Sequence, residues 1–273
     1  MPTNLFAKFS VFFILFISFQ IHALQIGDKA PNFKADSTQG ELDFYNWSEN
    51  QWVILLSHPG DFTPVCTTEL AEAAKLQPLL KKRNAKILTL SADSVEDHIE
   101  WIEVINNYKN KTTTTDDLKN LLLGIDGDTD VNFPIISDPD LNVASLYGMY
   151  HPKALPNASA LGGSEKSTIR AVFIIDPKKN IQAMLTYPKN IGRNFNEIVR
   201  TLEALQISDE LNVSTPANWE FGDDVIVSND IPDEDIQEKY EVEEYNVFET
   251  FLRTIKQPGH YGGNDARRKR VRN

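Results

Sequence analysis

Continuous apolar runs alternate with one-sided apolar stretches through the middle of the chain. The runs W-V-I-L-L-S (52–57) and A-K-I-L-T-L-S (85–91) predict buried strands of a parallel sheet. The stretches that follow them, one opening at Thr63 and one over 95–108, carry apolar residues on one face and predict helices. Strand, helix, strand, helix in this order is the pattern of a βαβ sheet. We therefore predict an α/β fold.

The pattern continues with further elements toward residue 206. We expect Pro78 to kink or end the first helix. The polar, threonine-rich segment 109–130 predicts a surface loop. The later elements are strands at 133–136 and 169–175, a D-P-K-K-N hairpin turn to a strand at 181–187, and a helix at 194–206. After about Ser208 the composition changes, and this change predicts a small appended domain.

Charge is distributed unevenly along the chain. The net charge is −12, and residues 220–249 hold twelve acidic side chains and one lysine, a net of −11. Residues 250–273 hold seven basic side chains and one acidic side chain, a net of +6. The main body therefore has no basic face, and we expect no nucleic-acid partner. The acidic run predicts a solvated surface.

The first 23 residues have the features of a secretory signal peptide, which predicts a secreted or endomembrane-lumen protein. Lys8 precedes the apolar stretch 11–19, and I-H-A ends at Ala23 as a cleavage site. The stretch is shorter than the ~20 apolar residues of a bilayer span, so no stable membrane span is expected, although an uncleaved anchor is the alternative. Four N-x-S/T sequons agree with a glycoprotein: Asn46, Asn110, Asn157 and Asn212.

Cys66 is the only cysteine, so it is either inert core packing or a nucleophile. Thr63 followed by Pro64 predicts a helix N-cap with proline at the first helical position. Cys66 then lies in the first helical turn, near the positive end of the dipole. A thiol in such a place ionises more readily than a free one, provided that solvent reaches it. This placement favours the nucleophile.

The residues around Cys66 resemble the active-site motif of the peroxiredoxins: Pro59, Thr63 and Cys66 stand at that family's spacing. The resemblance covers about residues 25–255 and is greatest to the 1-Cys branch. It also includes S-A-D-S-V-E-D-H (91–98), F-P-I-I-S-D-P (133–139), I-R-A-V-F-I-I-D-P (169–177) and Y-P-K-N-I-G-R-N-F (187–195).

This resemblance implies a thioredoxin-like fold with a small C-terminal α+β extension, a homodimer, and reduction of hydrogen peroxide and organic hydroperoxides. We expect four segments: the signal peptide 1–23, the thioredoxin-like domain 25–190, the dimerisation domain 191–257 and the basic tail 258–273. The tail is a solvated arm, a polyanion- or membrane-surface patch, or a basic cleavage site.

The resemblance also assigns catalytic roles. Cys66 is the nucleophile that becomes a sulfenic acid, Thr63 contacts thiolate and peroxide, and Pro59 shields the sulfur. Arg170 is the family's invariant arginine, aimed at the sulfur, and Glu69 positions its guanidinium. For Arg170 the alternative is an ordinary surface arginine at a strand end.

Two supporting residues each have two alternative roles. His58 either hydrogen-bonds near the thiol or is a structural histidine. Arg193 matches the family's second arginine near the pocket, or it is a surface charge at a helix start. Trp101 is expected in the core. Because no second cysteine exists, the sulfenic acid needs an external thiol or another small reductant, and no cofactor or metal is expected.

Two other functions remain as alternatives. One is a holdase chaperone or a secreted signalling protein that keeps the fold without needing the thiol chemistry. The other is a lipid hydrolase, since some relatives carry a phospholipase triad. Here Gln51, Tyr45 and Lys178 stand where that triad would be, and Gln51 cannot act as an acyl nucleophile. We therefore expect no phospholipase activity by that route.

Overall fold

A seven-stranded mixed sheet forms the centre of the computed structural model, which describes residues 23–112, 129–150 and 167–258. Its strands lie in the order β2-β1-β5-β4-β3-β6-β7. They are β1 (Lys34–Ser37), β2 (Gly40–Asp43), β3 (Trp52–Ser57), β4 (Ala85–Ser91), β5 (Ile135–Ser137), β6 (Arg170–Ile175) and β7 (Ile181–Tyr187). The helices that accompany it are α1 (Phe44–Trp47), α2 (Pro64–Lys82), α3 (Val95–Lys111), α4 (Asn142–Tyr147) and α5 (Phe195–Leu211).

The two strands predicted from continuous apolar runs lie at the middle of this sheet. β3 pairs in parallel with β4, and β4 pairs in parallel with β5, as the βαβ pattern predicts. Val53 and Leu55 face one hydrophobic core, while Ile54 and Leu56 face a second core on the opposite face. Both faces are covered, which explains why the run is apolar throughout rather than alternating.

Helix α2 continues through Pro78 to Lys82, so the prediction that proline ends it is wrong. Pro78 has no N–H to donate to the Ala74 carbonyl. The Gln77 side-chain amide donates to that carbonyl instead, at 3.0 Å. The bond lost from the backbone is therefore replaced by a neighbouring side chain.

Other boundaries differ from the predicted ones by a few residues. β5 begins two residues later than predicted, α3 extends to Lys111, and α5 extends to Leu211. The β1–β2 hairpin and the short helices α1 and α4 were not predicted. The hairpin is mostly polar and carries one buried residue per strand, Ser37 and Leu42, so it lacks the alternation that marks a strand.

A second, four-stranded sheet of order β10-β11-β9-β8 forms the C-terminal region. Its elements are β8 (Val213–Ser214), β9 (Val225–Val227), a 3₁₀ turn (Asp233–Asp235), α6 (Ile236–Tyr240), β10 (Asn246–Glu249) and β11 (Leu252–Ile255). It has its own hydrophobic core around Trp219. Helix α5 contributes Ile198 and Leu202 to the main core and Ile207 to this second one. One helix thus joins the two cores.

Several sequence predictions fall outside the described residues. These are nearly all of the signal segment 1–23, the sequon at Asn157, most of the polar segment 109–130, and the basic tail. Within 23–112, 129–150 and 167–258, none of the helices combines the length and hydrophobicity that crossing a membrane requires.

Candidate active site

The turn that follows β3 leads directly into the helix that carries Cys66. Thr63 is the N-cap of α2, with extended backbone angles (φ −101°, ψ 145°), and Pro64 occupies the first helical position, as predicted. The Thr63 hydroxyl does not cap the helix but donates to the Gly60 carbonyl at 2.8 Å. Pro59 is buried in this turn. Phe62 has a positive φ of 53°, a strained conformation for an aromatic residue.

Arg170 lies against the sulfur of Cys66. It is the first residue of β6, and its Nη1 is 3.3 Å from Cys66 Sγ. Its Nε donates to the Lys189 carbonyl at 2.9 Å, which holds the guanidinium from the other side. Arg170 is only 2% exposed, so the surface-arginine alternative is wrong.

Glu69 links two guanidiniums one helical turn after Cys66. Its Oε2 accepts from Arg170 Nη1 at 2.6 Å and from Arg193 Nη2 at 2.7 Å. Its Oε1 accepts from the Arg193 backbone N–H at 2.8 Å and from Arg193 Nε at 3.0 Å. The three side chains are almost wholly removed from water. Charged hydrogen bonds of this kind are the strong ones, and they fix Arg170 in place.

Arg193 is a buried structural residue as well as a partner of Glu69. Its Nη1 donates to the carbonyls of Ser57 and Ala171, at 2.9 and 3.1 Å, and so ties β3 to β6. Burial lowers the pKa of Arg193, and the Glu69 carboxylate opposes that effect. The helix-start surface alternative for this residue is wrong.

The charges of this cluster do not balance without the cysteine. Arg170 and Arg193 supply two positive charges, and Glu69 supplies one negative charge. An unpaired charge in a buried site costs several kcal/mol, on the order of 3–5. A negative charge at the Cys66 sulfur would balance the cluster, so the cluster is electrostatically complementary to an anionic nucleophile.

Cys66 itself has no exposed surface, and it packs in the core that lies beneath α2. The expectation that solvent reaches this sulfur directly is therefore wrong for this conformation.

His58 lies in the same turn, but its hydrogen bond goes elsewhere. The His58 Nε2 faces Asp61 Oδ1 at 2.9 Å, and His58 is fully buried. Burial lowers the pKa of His58, and the bond to Asp61 only partly offsets this. The Trp101 ring packs 5.2 Å from the His58 ring in the core, as expected for Trp101. The structural alternative for His58 fits this geometry better than a bond to the thiol.

Asp61 and His98 were not predicted as site residues. His98 Nδ1 lies 2.5 Å from Asp61 Oδ2. Both residues stand inside sequence segments that carry the family resemblance, but they are 37 residues apart. The sequence did carry one signal for His98. It is a polar residue on the face of α3 that also carries the buried Trp101 and Ile105.

Histidine and aspartate side chains commonly bind metal ions. The ligand atoms of His58, Asp61 and His98 lie within 4.8 Å of one another. Ligand atoms around a tetrahedral zinc lie about 3.3 Å apart, given bonds of about 2.0–2.2 Å. The 2.5 and 2.9 Å separations from Asp61 are shorter than that. The cluster is therefore a hydrogen-bonded triad in this structure.

Two family models match the chain. The AhpC/TSA family matches residues 26–184, and the C-terminal domain of 1-Cys peroxiredoxin matches residues 204–242. Together they cover nearly all of the main sheet and the first two strands, β8 and β9, of the second sheet. The first match places β3, α2 and β6, and hence Cys66 and Arg170, inside the AhpC/TSA model.

Individual relatives agree with these models. The chain is 41% identical to a 1-Cys peroxiredoxin of Dictyostelium discoideum over 235 residues, which is 86% of each chain. It is 41% identical over 233 residues to a mitochondrial peroxiredoxin of Saccharomyces cerevisiae, covering 85% of this chain and 81% of the relative. A solved structure of a yeast mitochondrial 1-Cys peroxiredoxin superposes with a TM-score of 0.69 at 39% identity, covering 85% of this chain and 99% of that one.

Replacing Glu69 tests the buried charge cluster. Glu69→Gln leaves two buried guanidiniums without a carboxylate, and we expect a loss of about 3–5 kcal/mol in the free energy of unfolding. Glu72→Gln is the matched control, because Glu72 is half exposed and pairs with Lys75 on the same helix. That control should cost less than about 1 kcal/mol in urea unfolding. Equal losses for the two variants would show that the cluster contributes no more than a surface ion pair.

The buried His58 gives the protein a specific pH dependence. Its folded pKa is below its ordinary value, so between pH 7.5 and 5.5 the unfolded chain takes up a proton that the folded chain does not. Stability is therefore lost as pH falls through this window, by up to about 1.4 kcal/mol per pH unit from this group. His58→Gln should flatten the slope of unfolding free energy against pH. An unchanged slope would mean that His58 titrates alike in both states.

Proposed function

This chain belongs to the peroxiredoxin family, in which it is a thiol peroxidase of the 1-Cys type, and we propose that Cys66, Arg170, Thr63 and Pro59 carry its reaction. The observation that supports this assignment most strongly is the 3.3 Å contact between Arg170 Nη1 and Cys66 Sγ. A permanent cation held at that distance favours a thiolate and can bind an oxygen that gains negative charge.

The reaction proceeds by displacement at oxygen. The Cys66 thiolate attacks one peroxide oxygen, an S–O bond forms, and the O–O bond breaks. The attacked oxygen keeps its proton and remains on sulfur as a sulfenic acid. The other oxygen leaves with the electron pair of the O–O bond, takes up a proton, and departs as water or an alcohol. Arg170 stabilises the charge on that leaving oxygen.

The supporting residues act through Arg170 and through the turn. Glu69 and Arg193 hold the guanidinium of Arg170 by direct charged hydrogen bonds. Thr63 begins the helix and offers its hydroxyl to the peroxide once that hydroxyl leaves Gly60. Pro59 is buried in the turn and presents no N–H that would compete for the sulfur. His58 has a structural role.

The reductant is an external thiol. The chain has no second cysteine to resolve the sulfenic acid. The solved yeast relative is described as using the glutathione and thioredoxin systems for thiol resolution, and a thiol of that kind suits this chain. Because Cys66 is buried, we propose that the first turn of α2 opens after oxidation to admit the reductant. Faster proteolysis within α2 in the peroxide-treated protein than in the reduced protein would support this opening, and equal rates would contradict it.

We propose two domains, 25–190 and 191–257, and a homodimer formed through the second. The separate core around Trp219 supports the division. The hairpin β10–β11 supports the dimer, because Val247, Phe248 and Phe251 are 55–66% exposed on adjoining positions. Exposed apolar clusters of this kind mark interaction surfaces.

We propose entry into the secretory pathway. Residues 1–23 hold one lysine and no arginine around a continuous apolar stretch, whereas mitochondrial transit peptides are rich in arginine. One relative is mitochondrial. The absence of arginine from residues 1–23 is therefore the argument for the secretory pathway over mitochondrial import. N-terminal sequencing of the protein from its native cells distinguishes them: a start at Leu24 in a membrane-enclosed secretory fraction supports the proposal, and recovery from mitochondria contradicts it.

Substituting the cysteine tests the catalytic assignment. Cys66→Ser should reduce thiol-dependent consumption of hydrogen peroxide to the uncatalysed rate, because the hydroxyl cannot accept the oxygen as a sulfenic acid. Trapping the oxidised wild type with a sulfenic-acid reagent should label Cys66. The same variant tests the chaperone alternative. If Cys66→Ser loses peroxide turnover but still protects an unfolding client protein, the chain has a second, thiol-independent activity. Peroxide turnover retained in Cys66→Ser would refute the assignment.

Charged substitutions on the hairpin test the dimer. Phe248→Glu with Phe251→Glu should convert the dimer to a monomer in sedimentation velocity, since two carboxylates would be buried in the interface. Val104→Glu is the control, because Val104 is 44% exposed on α3, away from the second sheet. A monomeric wild type, or a double variant that stays dimeric, would show that this hairpin is not the interface.

A further inference from the structure

The turn between β3 and α2 is held by groups from β4 and from the loop that follows β4. The His58 backbone N–H donates to the Leu90 carbonyl at 3.0 Å. The Asp61 backbone N–H donates to Asp93 Oδ2, also at 3.0 Å. Because the N-cap Thr63 follows two residues later, the position of this turn sets where α2 begins.

His98 faces hydrogen-bond acceptors on both sides of its ring. Its Nε2 is 3.1 Å from the Ile136 carbonyl, and its Nδ1 is 2.5 Å from Asp61 Oδ2. A carbonyl oxygen only accepts, so Nε2 must carry a proton. A neutral imidazole would then present a bare Nδ1 to a carboxylate, which is repulsive. One further proton must lie between Nδ1 and Oδ2.

The position of that proton follows from the surroundings of Asp61. Burial on its own raises the pKa of Asp61, but the hydrogen bonds from His58 and His98 outweigh it and the pKa is below its usual value. The Asp61 carboxylate therefore accepts a hydrogen bond from each of the two imidazoles. Asp61 Oδ1 accepts the Nε2 proton of His58, whose Nδ1 has no partner among the described residues.

The charged groups around the pair are few. Asp61 faces His98 directly, and His58 faces it from the other carboxylate oxygen. Arg193 acts on His58 through its charge, and Asp93 is hydrogen-bonded to the backbone N–H of Asp61 rather than to its carboxylate. The side chains of Asp61 and His98 are 1% and 0% exposed, so water does not screen their attraction. The charged bond therefore joins α3 rigidly to the turn.

We propose that Asp61 and His98 are positioning residues for the peroxidase reaction, which share one buried proton in a charged hydrogen bond and thereby fix the turn that sets Thr63 and Cys66 against Arg170. This inference rests on the roles proposed above for Cys66 and Arg170. It explains why an aspartate and a histidine are buried together beside apolar core residues such as Trp101. Neither residue touches the sulfur, so their effect is on geometry.

Histidine NMR on the reduced, full-length wild type tests the shared proton without any assay of activity. We expect one imidazole with both ring nitrogens protonated and protected from exchange, assigned by its disappearance in His98→Gln. His58 should show a proton on Nε2 alone. A neutral His98 at neutral pH would overturn the proposal. So would stoichiometric binding of added Zn²⁺ with loss of the His98 protons, because the triad would then be a metal site.

Kinetics test the positioning role. In His98→Gln and in Asp61→Asn, we expect the rate constant for hydrogen peroxide to fall at least about tenfold, since misplacement of reacting groups costs rate steeply. Alkylation of Cys66 by iodoacetamide, which needs no orientation by Arg170, should change less than about twofold. Glu100→Gln, on the exposed face of the same helix, should alter neither rate.

The kinetic outcomes separate this inference from the proposed function. Unchanged peroxide rates in both variants, or equal losses of peroxide and alkylation rates, would overturn the positioning role. If Cys66→Ser kept full peroxide turnover, the catalytic assignment would fail instead, and the NMR result would still decide whether the buried proton exists.

Discussion

One carboxylate, that of Glu69, determines the chemistry of this site. It accepts hydrogen bonds from both Arg170 and Arg193, and by holding Arg170 it places a permanent cation 3.3 Å from the sulfur of Cys66. The cluster has one positive charge in excess unless the thiol ionises. That excess is complementary to a negative charge at the sulfur, as the proposed reaction requires.

The fold is what makes this arrangement possible. Arg170 enters from the first residue of β6, Glu69 from the first turns of α2, and Arg193 bridges the backbones of β3 and β6. Those strands are adjacent and antiparallel, so the arginines and the cysteine meet at one place in the sheet. The same burial that strengthens the charges also covers the sulfur completely. This burial is the reason for the proposal that the first turn of α2 opens to admit the reductant.

The local features of the site were predictable from sequence, and the long-range ones were not. Thr63, Pro64 and Cys66 are adjacent, so capping rules alone placed the thiol at a helix start. Arg170 and Glu69 were reached through the family resemblance. The burial of Arg193 and the Asp61–His98 bond depend on residues that are distant in sequence. The local sign of the second was one polar residue, His98, on the buried face of α3, and it did not identify the partner. Helix α2 passes Pro78 because Gln77 supplies the missing amide, which proline rules alone do not anticipate.

The proposed role of Arg170 is to assist the attack of Cys66 on peroxide from a position 3.3 Å from the sulfur, where Glu69 holds it. The direct measurement is the rate constant for oxidation of Cys66 by hydrogen peroxide in the wild type and in Arg170→Gln, with Glu72→Gln as the control. We expect Arg170→Gln to lower this rate constant at least about a hundredfold, because the cation that stabilises the leaving oxygen is lost, and we expect Glu72→Gln to leave it unchanged. The same rate constant with and without the arginine would contradict this role.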